Sequence, residues 1–282
     1  MTGGAMKRAV TVLLLVASTT WAAPAGLQST TFGHGPTIVM VHNLGGGRMS
    51  WMPTARKLMS SYRIVLVDLP GHGGSPISDP FTIQSGAAAL DEVLATQKAE
   101  STVIVGQGMG AVMAMAALHA HPERARGLVA IEMSLKKQFS VPDQQREMFL
   151  GFIEQNYDIF LKRTFMPLGR DSLQKIAIHA QAAQVPMPVM KSYIREMIDF
   201  DPSENAKTFK KPLLLVVTER LWSVAKDSTS FASTMGYDVL PSYTLRHLTD
   251  CGIMVASERP DTLAALIDGF SRQVLAAKTA AK

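Results

Sequence analysis

The run Val103-Ile104-Val105-Gly106-Gln107-Gly108-Met109-Gly110-Ala111 carries an apolar strand pattern straight into glycines and small residues. Such a run supports a sharp strand-to-helix turn, because glycine takes positive φ without steric cost. The small residues flanking the turn let strand and helix approach closely. Amides at the start of the following helix favour negative charge. Two further segments set polar groups among glycines: Val41-His42-Asn43-Leu44-Gly45-Gly46-Gly47, followed by Trp51, and Val67-Asp68-Leu69-Pro70-Gly71-His72-Gly73-Gly74-Ser75. Gly106-x-Gly108-x-x-Ala111 also fits a dinucleotide-binding fingerprint, with Glu132 near the place of a ribose-binding acid. Against that remote alternative, two strands precede this one, and a dinucleotide reading leaves the other two segments unexplained.

The elements that must position these groups are legible as alternation. Strands are expected over Thr37–Val41, Arg63–Leu69, Ser101–Val105, Gly127–Ile131, Pro212–Thr218 and Tyr243–Leu248. Helices are expected over Met52–Met59, Ile83–Lys98, Met109–His119 and Asp261–Leu275. Unbroken Val/Ile/Leu runs suit strands covered on both faces. The alternation predicts an α/β fold, a mostly parallel sheet with helices on both faces. Between Ser134 and Lys211 the strand signal disappears, and apolar residues fall at helical spacing around a break at Pro186 and Pro188. A helical insertion over about 135–210 is expected there.

Taken in order, the three glycine-rich segments resemble the α/β-hydrolase superfamily: its oxyanion loop, its Asp-x-Pro-Gly-x-Gly-x-Ser turn and its nucleophile elbow. The resemblance covers nearly all of the chain beyond its N-terminal segment and implies an α/β-hydrolase fold with the helical insertion as cap. One departure lies near the start, where Leu27 to Phe32 leaves room for a single short leading strand. The greater departures are chemical. Gly108 stands where the family carries its nucleophile. Thr218-Glu219-Arg220-Leu221 replaces the usual Gly-x-x-Asp, with Leu221 at the acid. Cys251-Gly252-Ile253 replaces Ala-Gly-His, with Ile253 at the base, while Glu258 and Pro260 keep the surrounding frame.

A triad needs a nucleophile, a base and an acid, so the resemblance implies a degenerate site. Glu132 is a possible alternative acid, since some relatives place theirs after this strand. His42 is expected to be a positioning residue, His72 to sit in a surface turn, and His247 to be structural. Ser75 and Ser134 are off the elbow, without an evident base. What remains is a binding apparatus formed by Asn43, Leu44, Gln107, Gly108 and Met109, with the Leu44 and Met109 amides at the oxyanion-hole positions. Met109, Met113, Met148, Met166, Met187, Met190, Met197 and Met254, among 17 methionines in all, suggest an adaptable apolar cavity under the cap. The expected function is non-catalytic binding of a small apolar or amphipathic ligand. The alternative is a hydrolase or lyase acting through other groups in the same pocket. No cofactor and no metal is expected.

Composition fits this reading: 47% hydrophobic and 18% charged residues describe a globular chain. The formal charge of +5 comes without a dense Lys/Arg run, which disfavours a nucleic-acid partner. Lys7 and Arg8 precede the apolar stretch Ala9–Ala17 and a small-residue exit at Thr20 and Ala22. Residues 1–22 are thus expected to be a secretory signal peptide, giving an exported, periplasmic or secreted domain over 23–282. The stretch is too short to span a bilayer, so no stable membrane anchor is expected after cleavage. Cys251 is the sole cysteine and excludes an intramolecular disulfide.

Overall fold

The computed structural model describes residues 26–137, 142–223 and 227–277, so the expected signal peptide lies outside the described residues. Its centre is a seven-stranded sheet in the order β1-β3-β2-β4-β5-β6-β7. The strands are β1 Ser29–Gly33, β2 Thr37–Val41, β3 Arg63–Val67, β4 Thr102–Gln107, β5 Leu128–Ile131, β6 Leu213–Thr218 and β7 Thr244–Leu248. β1, the one leading strand among the described residues, runs antiparallel to β3, and every other pair is parallel. β2, β4, β5 and β6 are buried along their whole length, which is why they read as continuous apolar runs rather than as alternation.

The helices are α1 Met52–Leu58, α2 Ile83–Ala95, α3 Met109–Ala120, α4 Asp143–Gln155, α5 Tyr157–Phe165, α6 Ser172–Ala182, α7 Met187–Asp199, α8 Pro202–Lys207, α9 Glu219–Trp222, α10 Ser228–Met235, α11 Val255–Glu258 and α12 Pro260–Ala276. One face of the sheet packs on α2 and α3 through Leu90, Leu94, Met113 and Leu118. The other packs on α1, α11 and α12 through Ala55, Leu58, Val255, Leu263 and Ile267. α2 opens with a capping box in which Thr82 and Ser85 satisfy each other's amides.

The insertion between β5 and β6 is helical as expected, carrying α4 to α8. Pro186 immediately precedes α7 and Pro188 lies in its first turn, where proline's missing N–H costs nothing. Tyr193 anchors α7 to the core. It is fully buried, donates its hydroxyl to the Pro70 carbonyl at 2.9 Å and packs on Phe81 with ring centroids 4.5 Å apart.

Parallel sheets bind ligands beyond the carboxyl ends of their strands, at the point where strand order reverses. Here the chain leaves β2 for β3 on one side and returns to β4 on the other. Asn43 after β2 and Gly108 after β4 therefore flank that crevice, with the cap above them.

Candidate functional site

Gly108 sits between the end of β4 and the start of α3 at φ 51°, ψ −117°. The neighbouring small residues are required by contact. A Cβ on Gly106 would lie 2.5 Å from the Ala111 Cα, and one on Gly110 would lie 2.4 Å from the His42 carbonyl oxygen. Close packing of β2, β4 and α3 thus accounts for the small residues that also fit a dinucleotide fingerprint.

Space above Gly108 is filled by Asn43. Its side-chain oxygen Oδ1 accepts the Leu44 amide at 2.8 Å and the Met109 amide at 3.0 Å. A Cβ placed on Gly108 would be 2.1 Å from that oxygen. Leu44 and Met109 do occupy the crevice, but their amides are not open donors: both already serve an oxygen of the chain itself. The expectation of free donors at the rim is corrected accordingly, because no spacing argument links residues 43 and 109.

Glu132 follows β5 at φ 52° and is buried. Its Oε1 accepts the Thr218 amide at 2.7 Å and the Thr218 hydroxyl at 2.9 Å, while Oε2 accepts Arg220 Nε at 2.9 Å. The carboxylate is a structural acceptor paired with a half-exposed guanidinium. Leu221, one residue along α9, lines the same cavity as Glu132, Gly108 and Met109.

Gln107 reaches across the crevice and donates Nε2 to the Ile253 carbonyl at 2.5 Å. This ties the elbow to the loop after β7. That loop is braced again by Glu258, whose Oε2 accepts the Gly252 amide at 2.8 Å and Arg170 Nη1 at 3.2 Å. Arg170 precedes α6 in the cap and also donates to the Asp250 carbonyl at 2.5 Å. The Glu258 of the sequence frame thus holds a loop whose Ile253 has no ionisable side chain.

Two cavities meet over Asn43. One, of about 320 Å³, is lined by Leu44, Met109, Glu132, Ser134, Met197, Arg220 and Leu221, among others. Its neighbour, of about 250 Å³, includes Met49, Gln107, Leu168, Ile178, Ile253 and Met254. Asn43, Leu44 and Phe165 line both. All the expected site residues therefore converge, in two chambers. The methionine expectation holds in part. Met109, Met197 and Met254 line the chambers, joined by Met49 and Met235, whereas Met113 and Met190 are core residues and Met148 is exposed. Ser134 is off the elbow but lines the larger chamber, which its sequence neighbourhood does not reveal.

A second polar cluster supports the loop from below. His42 Nδ1 lies 2.7 Å from the Asn43 carbonyl, and Nε2 lies 3.0 Å from the Leu69 amide and 3.4 Å from Asp68 Oδ1. Asp68 accepts the Arg48 amide at 2.7 Å and pairs with its guanidinium. Burial pushes the Asp68 carboxyl up, but His42 and Arg48 outweigh it and hold it below the usual carboxylate range.

His72 is not in a surface turn. It is buried against Tyr193, its ring edge-on at 5.4 Å, with Nδ1 on the Pro70 carbonyl and Nε2 accepting the Gly45 amide at 3.3 Å. Burial, reinforced by His42, pushes it down to about 4. His247 lies outside both chambers, stacked on Trp222 at 4.4 Å and bonded to Glu219 at 3.0 Å, consistent with a structural role.

On the larger chamber's cap side, Glu196 accepts the Ile83 amide at 2.7 Å, adding a cap from α7 to the first turn of α2. Burial and then nearby Asp199 push its carboxyl up.

Comparison with known proteins agrees with this architecture. Curated relatives include pimeloyl-[acyl-carrier protein] methyl ester esterases. That of Aeromonas hydrophila is 33% identical over 103 residues, 36% of this chain and 40% of the relative. That of Chromobacterium violaceum is 28% identical over 158 residues, 52% of this chain and 61% of the relative. The matches thus span less than two thirds of these relatives' own length. Among solved structures, a hydrolase from Oleispira antarctica superposes with a TM-score of 0.74 at 16% identity, covering 86% of this chain and 94% of that one. A thermophilic esterase from Thermogutta terrifontis gives 0.70 at 19% identity, covering 88% and 93%. At such identities the likeness speaks for the fold alone. The model of the alpha/beta hydrolase family matches residues 38–266, most of the sequence, and the chain belongs to that family.

Proposed function

We propose that this chain is an exported, non-catalytic member of its family that binds a small apolar or amphipathic molecule in the chambers beneath the cap. The observation that carries this reading is the Asn43 oxygen seated between the Leu44 and Met109 amides, directly above a glycine. Acyl transfer by a serine-type mechanism requires a nucleophile, a base and donors for the developing oxyanion. Gly108 offers no nucleophile, and the resemblance puts Leu221 and Ile253 at the acid and base positions. The two donors are already satisfied by a neutral amide oxygen of the chain. Polar recognition of a ligand then falls to Arg220 and Ser134, with the Leu, Met and Phe side chains taking its apolar body.

The names of the curated relatives favour a second reading, an esterase working through other groups in the same chambers. Glu132 is the carboxylate best placed for it. Both of its oxygens are engaged, by Thr218 and by Arg220, which supports binding over catalysis. The test is mass spectrometry of small molecules retained on the purified protein, combined with a fluorophosphonate probe. We expect an amphipathic ligand to be retained, no covalent adduct, and at least tenfold less ligand on Leu221→Trp, which fills the larger chamber. An adduct that disappears in Ser134→Ala transfers the case to the esterase reading.

A further inference from the structure

The opposite end of the sheet holds a further cavity, of about 470 Å³, lined among others by Arg126, Lys210, Lys211, Tyr243, Phe270 and Val274. Arg126 and Lys211 enter it from the segments leading into β5 and β6, and Tyr243 from the one leading into β7. It is separated from the chambers by the length of β6, roughly 20 Å at the rise of a strand.

The cations there lack the carboxylate partners that many cations elsewhere in the molecule have. Arg124, Arg146, Lys162, Lys191 and Lys207 all sit on carboxylates at 2.6–2.9 Å. Among the described residues, no carboxylate lies within ion-pair distance of Arg126, Lys210 or Lys211. The Arg126 Nε is a buried donor with no acceptor. The Lys211 ammonium is pushed down by burial and then by Arg126, with only a lesser opposing effect from Glu123. Glu123 itself reaches His121 at 3.4 Å. Arg126 and Lys211 thus disfavour each other's charge, and one of the two carries an unpartnered buried donor. Such an arrangement is relieved when an anion enters.

We propose that this cavity is a binding site for an organic phosphate, with the phosphoryl group against Arg126, Lys210 and Lys211 and the apolar portion against Phe270 and Val274. A phosphoryl dianion suits the site better than a carboxylate. It offers three acceptor oxygens to three cations, and arginine's planar fork matches its geometry. The proposal is independent of what the chambers under the cap bind.

The probe is phenyl phosphate, titrated calorimetrically into the intact protein at low ionic strength, with benzoate and benzyl alcohol as comparators. Phenyl phosphate should bind at least tenfold tighter than benzoate, and benzyl alcohol should give no heat. Lys211→Gln and Arg126→Met should each weaken binding tenfold or more, while Lys211→Arg retains it. Without ligand, Arg126→Met should unfold at a higher temperature than the wild type, since the orphaned donor is gone. NMR titration of the Lys211 side chain needs no variant, and saturating phenyl phosphate should shift its ionisation to higher pH. Equal affinity for benzoate, an unaltered Kd in Lys211→Gln, or a Lys211 titration indifferent to phenyl phosphate would overturn the proposal.

Discussion

Asn43 and Gly108 behave as a matched pair, and their coupling can be measured. A serine at 108 would need a backbone of φ 51° that side chains rarely adopt. It would also drive Cβ into the Asn43 carboxamide. Strain of this kind costs on the order of 1–3 kcal/mol. Asn43→Ala removes the acceptor of two amides, a loss of about 1–2 kcal/mol moderated by water from the adjoining chambers. In the double variant the clash has gone, so the two costs should not add. The double variant Asn43→Ala/Gly108→Ser should be more stable than the sum of the singles predicts by about 1 kcal/mol or more, within the range for residues in contact. Urea unfolding of the four proteins measures this directly, and strict additivity would show that Asn43 is not seated over residue 108. Fluorophosphonate should label neither Gly108→Ser protein, because positions 221 and 253 still carry leucine and isoleucine.

At the scale of elements, the turn after β3 is held to the rest of the fold through a neutral histidine. His72 accepts the Gly45 amide from the loop after β2 and packs on Tyr193 of α7. Its folded pKa is depressed to about 4 from an ordinary 6.5. Between those values the unfolded chain binds a proton that the native chain does not, so stability falls as pH drops from about 6.5 to about 4. The loss totals about 3 kcal/mol. Asp68 acts lower down: its depressed folded pKa gives stability that is lost only as pH falls below the ordinary carboxylate value of 3.8. Equilibrium unfolding at pH 7, 5.5 and 4.5 should show the first slope in the wild type. In His72→Gln the slope should be flatter, with lower stability at pH 7; an unchanged slope would assign it to other groups. The strands were legible because burial on both faces leaves unbroken apolar runs, and the cap because its apolar residues keep helical spacing. His72 was not, since a glycine-rich run reads as an exposed turn and its cover comes from Tyr193, 121 positions away in the chain. The Asn43 plug was hidden for the same reason. Local sequence shows a small residue at the elbow but not the side chain that fills the space above it.

Across the whole molecule, the sheet presents two ends of different character, the apolar chambers at the carboxyl ends of its strands and the cationic cavity at the amino ends. Among the described residues, Leu27 is the first in the buried core. Gln28 then ties the chain to the turn after β3. Its amide donates to the Ser75 hydroxyl at 2.9 Å, and its carbonyl accepts the Asp68 amide at 2.9 Å. Cleavage of the proposed signal peptide would leave the mature N-terminus near Ala23, ahead of these contacts. A chain of residues 23–282 should therefore unfold at the same denaturant midpoint as the full-length protein. A chain starting at His34 should be markedly less stable, because it exposes the β3 edge and deletes Leu27. Removing a leucine of this kind from a core typically costs about 2–5 kcal/mol. Protein recovered from its native host should begin near Ala23 by N-terminal sequencing and should be found outside the cytoplasm. An intact residue 1–22 segment on a cytoplasmic protein would overturn the export proposal while leaving the fold, the two chambers and the cationic cavity as described.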